Sequence, residues 1–83
     1  MSDHPPPRDP TTLWVRAFHQ QREGFWVYNI WLPVAQRWTG TLSLDDARGQ
    51  LMAVGMSPTT ASNRLSNARR QYTRWRDRQA AGR

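Results

Sequence analysis

The sequence contains no cysteine and no lysine. Without cysteine the chain can form no disulfide, no thiolate metal site and no thiol nucleophile. Its two histidines, His4 and His19, have no carboxylate at ligand spacing, so neither a metal nor another cofactor is expected. No apolar run approaches the roughly 18 residues that a membrane-spanning helix needs, and no signal peptide is apparent. We therefore expect a soluble, cytoplasmic protein without a membrane partner.

The positive charge is supplied by arginine alone and is concentrated at one end. The chain has 12 basic and six acidic side chains, a formal net charge of +6. Residues 1–63 carry equal numbers of arginines and acids, so the whole excess lies in residues 64–83, where Asp77 is the one acid. Such asymmetry is typical of a chain whose basic end faces a polyanion, and nucleic acid is the favoured partner.

Eighty-three residues are enough for one small domain with a marginal core. Four prolines in residues 1–10 predict a disordered or polyproline-like leader, because proline lacks an amide donor and breaks helices. Residues 11–83 are then a single domain that ends in a basic helix. Its five tryptophans are most simply read as core side chains, which replace the missing aliphatic volume.

The hydrophobic pattern changes period along the domain. Residues 13–18 alternate, residues 25–32 are nearly all β-branched or aromatic, and residues 36–42 predict a weaker third strand. Ser43 and Ser57 are then suitable N-caps for two helices, the second of which extends to about Gln79. The predicted fold class is α+β, with a small antiparallel β-sheet of two or three strands followed by two helices in helix-turn-helix order.

One segment carries a resemblance to a known family. The run GMSPTTASNRLSNARRQY resembles the second helix of helix-turn-helix domains of the sigma-factor promoter-recognition and LuxR-like kind. A small apolar residue, a polar pair, Arg-Leu and Ala-Arg follow in the family's order at Ala61, Ser62, Asn63, Arg64, Leu65, Ala68 and Arg69.

The resemblance implies that the N-terminal part of this helix enters the major groove of DNA. The implied base contacts are Thr59, Thr60, Asn63 and Arg64. The implied phosphate contacts are Ser57, Arg69, Arg70, Arg74, Arg76 and Arg78.

The favoured function is therefore sequence-specific binding of double-stranded DNA, by a small transcription regulator or accessory factor of the size common in phages and plasmids. One alternative is a protein-interaction module, an inhibitor or adaptor that docks on a larger complex through its aromatic surface. Another is a single-strand or RNA-binding sheet on which bases stack. An enzyme is not expected, since Asp45 and Asp46 are adjacent and would point about 100° apart on a helix.

A single recognition helix makes few base contacts, so a homodimer on two half-sites is expected. Two surfaces could pair: the edge of the short sheet, or the distal helix stripe of Tyr72 and Trp75. The helix stripe is the favoured one. Otherwise Tyr72 and Trp75 belong to the core.

Overall fold

The computed structural model describes residues 5–20 and 22–82 of the chain. A three-stranded antiparallel sheet in the order β1-β2-β3 is followed by two helices, which confirms the predicted α+β class. The elements are β1 (Trp14–Gln20), β2 (Phe25–Leu32), β3 (Arg37–Trp38), α1 (Leu44–Ala53) and α2 (Pro58–Ala81). A sheet followed by two helices in this order differs from a typical helix-turn-helix domain. The helix-turn-helix assignment therefore stays a prediction.

The two long strands form a hairpin whose register sorts the side chains onto two faces. Trp14 lies opposite Trp31 and Ala17 lies opposite Tyr28. Gly24 closes the turn with a positive φ of 77°, and its amide donates to the Gln20 carbonyl. Because side chains alternate along a strand, one face presents Trp14 and Trp31 and the other presents Ala17 and Tyr28.

The predicted third strand over residues 36–42 is shorter than expected. Only Arg37 and Trp38 pair as a strand, and Leu42 adds an isolated bridge to Tyr28. Between them the side-chain oxygen of buried Asn29 accepts the Gly40 amide at 3.0 Å. This bond replaces ladder pairing, and Gly40 has a φ of 89° that favours glycine.

Both helices begin at the residues that the sequence predicts. The Ser43 hydroxyl accepts the Asp46 amide at 3.1 Å, and the Ser57 hydroxyl accepts the Thr60 amide at 3.1 Å. Each serine thus satisfies an amide that the helix itself leaves unpaired. Gly55, at a φ of 107°, lies in the turn between the helices.

The core lies between one face of the sheet and the two helices. Helical spacing of about 100° per residue brings Ala61, Leu65 and Ala68 to one side of α2, where all three are buried. Across from them lie the buried strand residues and two residues of α1: Ala17, Tyr28, Ile30, Ala47 and Leu51. The small alanines let the backbones approach closely, so a few large side chains carry most of the core.

Residues 5–10, part of the segment for which the sequence predicts a disordered or polyproline-like leader, lie against the opposite, outer face of the sheet. Residues 1–4 are outside the described part of the chain. Three indole N–H groups donate to leader carbonyls at 2.8–3.0 Å, from Trp14 to Asp9, from Trp31 to Pro10 and from Trp38 to Pro5. Two of the three acceptors are prolines, which lack an amide donor but keep the carbonyl.

The buried Tyr28 ring carries a hydroxyl that has no hydrogen-bond partner among the described residues. Burial raises the pKa of this phenol, and the Arg69 charge opposes the shift. Because the pKa is raised in the folded state, the contribution of the neutral phenol to the free energy of unfolding is fully present below pH 10, the ordinary tyrosine value. This contribution falls as the pH rises above that value.

We expect Tyr28→Phe to leave the free energy of unfolding at pH 7 unchanged or to raise it by up to about 1 kcal/mol, because an unpaired buried hydroxyl is removed. The variant should also lose less stability than the wild type between pH 9 and 11. Urea unfolding at both pH values measures this, with half-buried Tyr72→Phe as the control. A loss above about 1 kcal/mol at pH 7 would show that the hydroxyl has a partner.

Candidate nucleic-acid interface

The outer face of α2 is a continuous polar and cationic stripe. At about 100° per residue the side of α2 opposite its buried alanines presents exposed side chains over about five successive turns. They are Thr59, Asn63, Asn67, Arg70, Arg74 and Arg78. The helix has 24 residues, so the stripe lies along a rod of about 36 Å. Its first half is neutral and hydrogen bonding, and its second half is basic.

The arginines of α2 have no carboxylate partner among the described residues. The helix carries six arginines and one acid, the exposed Asp77. Within residues 5–20 and 22–82 the one ion pair joins Arg48 to Asp45 on α1, at 3.9 Å. Structural surface helices more often alternate charges that pair along the helix. This face of the protein is thus left with positive charge that an external anion can neutralise.

Three arginines converge on a shallow cavity beside the sheet. The cavity has a volume of about 480 Å³, and its lining is Trp26, Ser66, Arg69, Arg70, Thr73 and Arg74. The Arg69 guanidinium lies over the Trp26 ring at 5.9 Å, and one Arg70 nitrogen donates to the Asn67 side chain at 3.0 Å. These contacts restrict the two guanidinium groups before any ligand arrives. Three cations and two hydroxyls suit a phosphate group.

The four residues predicted to contact bases differ in their exposure and in the hydrogen bonds that their side chains already make. Thr59 and Asn63 are exposed on the outer stripe. Thr60 is exposed, but its hydroxyl pairs with that of Ser57 at 3.0 Å. Arg64 is half-buried and donates to the Leu13 carbonyl at 3.1 Å, so it holds α2 against the start of β1. The structure therefore brings Thr59 and Asn63 to the outer stripe and engages Arg64 within the fold.

The predicted phosphate-contact residues lie on two sides of α2. Arg70, Arg74 and Arg78 follow the outer stripe, whereas half-buried Arg69 reaches over the sheet. Arg76 is exposed nearer the buried side of the helix. Ser57 is the N-cap, and its hydroxyl already accepts the Thr60 amide. The guanidinium groups therefore offer the larger share of the phosphate-binding capacity.

Tyr72 and Trp75 are part of an aromatic cluster between α2 and the sheet. The Tyr72 ring lies 6.2 Å from Phe18, 5.5 Å from Trp26 and 5.8 Å from Trp75, measured between centroids. Tyr72 is half-buried, and Trp75 keeps 49% of its surface exposed. Tyr72 thus supports the domain itself, and Trp75 remains accessible.

Trp26, Ser66 and Thr73 line the cationic cavity, although the sequence does not predict them there. The helical pattern places Ser66 and Thr73 on one side of α2, which is a usable signal. Trp26 belongs to a strand, and no local pattern indicates which helix residues it meets. Its role follows only from the packing of α2 on the sheet.

No protein-family model, curated protein or solved structure matches this chain. Among residues 5–20 and 22–82 no group of three or more histidine or acidic side chains is placed to hold a metal ion. In the same part of the chain no helix is both long and apolar enough to cross a membrane. The interpretation of the interface therefore depends on its geometry and charge.

Proposed function

We propose that the protein binds double-stranded DNA through the outer stripe of α2. The observation that carries this proposal is the row of arginines on α2 that no described carboxylate neutralises. Each arginine that meets a phosphate releases condensed counterions, which is the main source of affinity in such complexes. The proposal keeps the role that the helix-turn-helix resemblance implies for α2.

The helix has suitable dimensions and an ordered distribution of side chains for the major groove. An α-helix with its side chains is about 10–12 Å across, and the groove is about 12 Å wide. Thr59 and Asn63 would face base edges, because asparagine can form two bonds with adenine. Arg70, Arg74 and Arg78 would meet phosphates. Arg64 has a structural role in this proposal, since reading a base would break its bond to Leu13.

A nucleobase-stacking function for the outer face of the sheet is less well supported. The indole groups of Trp14, Trp31 and Trp38 are bound to leader carbonyls there, and Pro7 is buried. The Arg16 guanidinium also lies 5.6 Å from the Trp38 ring. A single strand would have to displace these groups before its bases could stack.

The proposed function predicts a strong salt dependence. If about five arginines each neutralise one phosphate, the logarithm of the affinity for duplex DNA should fall with the logarithm of salt concentration at a slope near −4 to −5. Fluorescence anisotropy with a random 20-base-pair duplex, from 50 to 300 mM salt, measures the slope. A matched single strand and an RNA hairpin are the comparison ligands. Weak binding with a flat salt response would refute the DNA proposal.

Sequence specificity, a regulatory or accessory role in transcription and pairing of two copies belong to the same proposal. Two copies on half-sites about one DNA turn apart would double the base contacts of a single α2. Selection of a preferred site from a pool of random duplexes tests specificity, and the symmetry of the selected site tests pairing.

A further inference from the structure

An apolar groove lies between the outer edge of β1 and α2, away from the cationic stripe. It has a volume of about 550 Å³, and its walls are formed by residues 14–18 of β1 and by Ala68, Gln71, Tyr72 and Trp75 of α2. Trp75 is 49% exposed and Trp14 is 37% exposed. The groove thus combines accessible aromatic surface with the backbone of an edge strand.

The hydrogen-bonding pattern of β2 shows which backbone groups face the groove. Tyr28 exchanges two backbone hydrogen bonds with Leu42, and the Ile30 carbonyl accepts the Thr39 amide. The backbone N–H and C=O groups of Tyr28 and Ile30 therefore point away from β1. Bonding direction alternates along an antiparallel strand. The backbone groups of Asn29 and Trp31 therefore point toward β1, where they bond to the backbone of the residues opposite them.

The residues opposite Asn29 and Trp31 are Arg16 and Trp14. By the same alternation, Val15 and Ala17 direct their N–H and C=O groups outward, into the groove. The bond from Arg64 to the Leu13 carbonyl agrees with this direction, since Leu13 precedes Val15 by two residues. In the described part of the chain, the outward N–H and C=O groups of Val15 and Ala17 have no hydrogen-bond partner.

We propose that this groove binds an extended acidic polypeptide segment, which adds to the sheet as a strand antiparallel to β1. An exposed strand edge beside a helix is suited to such an addition, because backbone bonds give affinity and flanking pockets give selectivity. The occupant must be extended, since only an extended chain presents donors and acceptors at the spacing of Val15 and Ala17.

The side chains around the groove define the chemistry of the segment. On the helix side, added residues would contact Ala68, Tyr72 and Trp75, which favours apolar side chains. On the outer side the neighbouring cation of β1 is the exposed Arg16, whose guanidinium lies 5.6 Å from the Trp38 ring, and a carboxylate on the added strand would have to draw it back toward the groove. Alternating acidic and apolar residues therefore match the two sides of an added strand. The net charge of +6 disfavours a second copy of this chain in the same place.

The test uses the full chain and a fluorescent eight-residue peptide of alternating glutamate and valine. A peptide with the same composition, but with four glutamates followed by four valines, keeps the charge and loses the alternation. A third peptide carries N-methyl groups on alternate amides, which removes half of the backbone donors. We expect the alternating peptide to bind at least tenfold more tightly than either comparison peptide, and to shift the amide resonances of Val15 and Ala17.

A pair of variants locates the binding. Trp75→Ala should weaken binding of the alternating peptide about tenfold, as truncation of an exposed aromatic anchor does. Met52→Ala removes a similarly exposed apolar side chain of α1 that does not line the groove, and should leave the affinity unchanged. The far-ultraviolet circular dichroism of each variant verifies that it is folded.

Three results would overturn the proposal. Equal affinity for the alternating and block peptides would mean that charge alone attracts them. Resonance shifts confined to Arg70 and Arg74 would place the peptide on the cationic stripe. Sedimentation of the wild type as a dimer, together with a monomeric Trp75→Ala, would assign the groove to a second copy. None of these results bears on the salt dependence of DNA binding.

Discussion

Replacing Arg70 and Arg74 together with alanine is expected to weaken binding to duplex DNA about 50-fold at 0.1 M salt and to reduce the magnitude of the salt slope by about 2. Both guanidinium groups line the cationic cavity beside Trp26, and Arg70 and Arg74 are exposed on the outer stripe of α2. Each would neutralise one phosphate in the proposed complex. Anisotropy titrations of the double variant at several salt concentrations measure both quantities.

The matched control is the double substitution of Arg8 and Arg37 with alanine. It removes the same charge from exposed arginines that lie outside α2. We expect a loss of less than about threefold and an unchanged slope, because long-range attraction is screened at this salt concentration. If both double variants lost the same affinity, net charge would explain binding and the α2 face would have no special role.

Leu65→Ala is expected to unfold most of the protein at 37 °C. Leu65 is 1% exposed and lies in the core between α2 and the sheet. Truncation of a fully buried leucine costs about 2–5 kcal/mol, and a core in a domain this small rarely supplies more than about 3–5 kcal/mol in total. Urea unfolding followed by far-ultraviolet circular dichroism measures the loss.

Met52→Ala provides the comparison for this core substitution. Met52 is 42% exposed on α1, so its truncation should change the free energy of unfolding by less than about 1 kcal/mol. An unchanged urea midpoint in Leu65→Ala would mean that α2 does not depend on packing against the sheet. The same unfolding measurement is needed for every DNA-binding variant, since loss of the fold would also abolish binding.

The features that the sequence predicts are those encoded locally. The helix start at Ser57 and Pro58 follows from cap chemistry, and the burial of Ala61 and Leu65 follows from their spacing. The antiparallel hairpin follows from the alternation in residues 13–18 and the β-branched and aromatic residues of 25–32. Each of these depends on residues only a few positions apart.

The features that the sequence does not predict are contacts between distant segments. Arg64 meets the Leu13 carbonyl across 51 residues, and Trp26 meets Arg69 from another element. The sequence around an arginine is the same whether its side chain is exposed or bound to a distant carbonyl, so the sequence alone does not distinguish the two cases. The two surfaces considered for pairing, the sheet edge and the stripe of Tyr72 and Trp75, likewise turn out to line a single groove.

The contact between the leader and the three tryptophans has a consequence for competing ligands. Residues 5–10 act as a tethered ligand of the sheet, held by indole donors in the way that aromatic grooves hold proline-rich peptides. A short tether gives such a segment an effective concentration on the order of millimolar. A separate proline-rich peptide at micromolar concentration would therefore remain unbound, and the outer face of the sheet is closed to it by the protein's own chain.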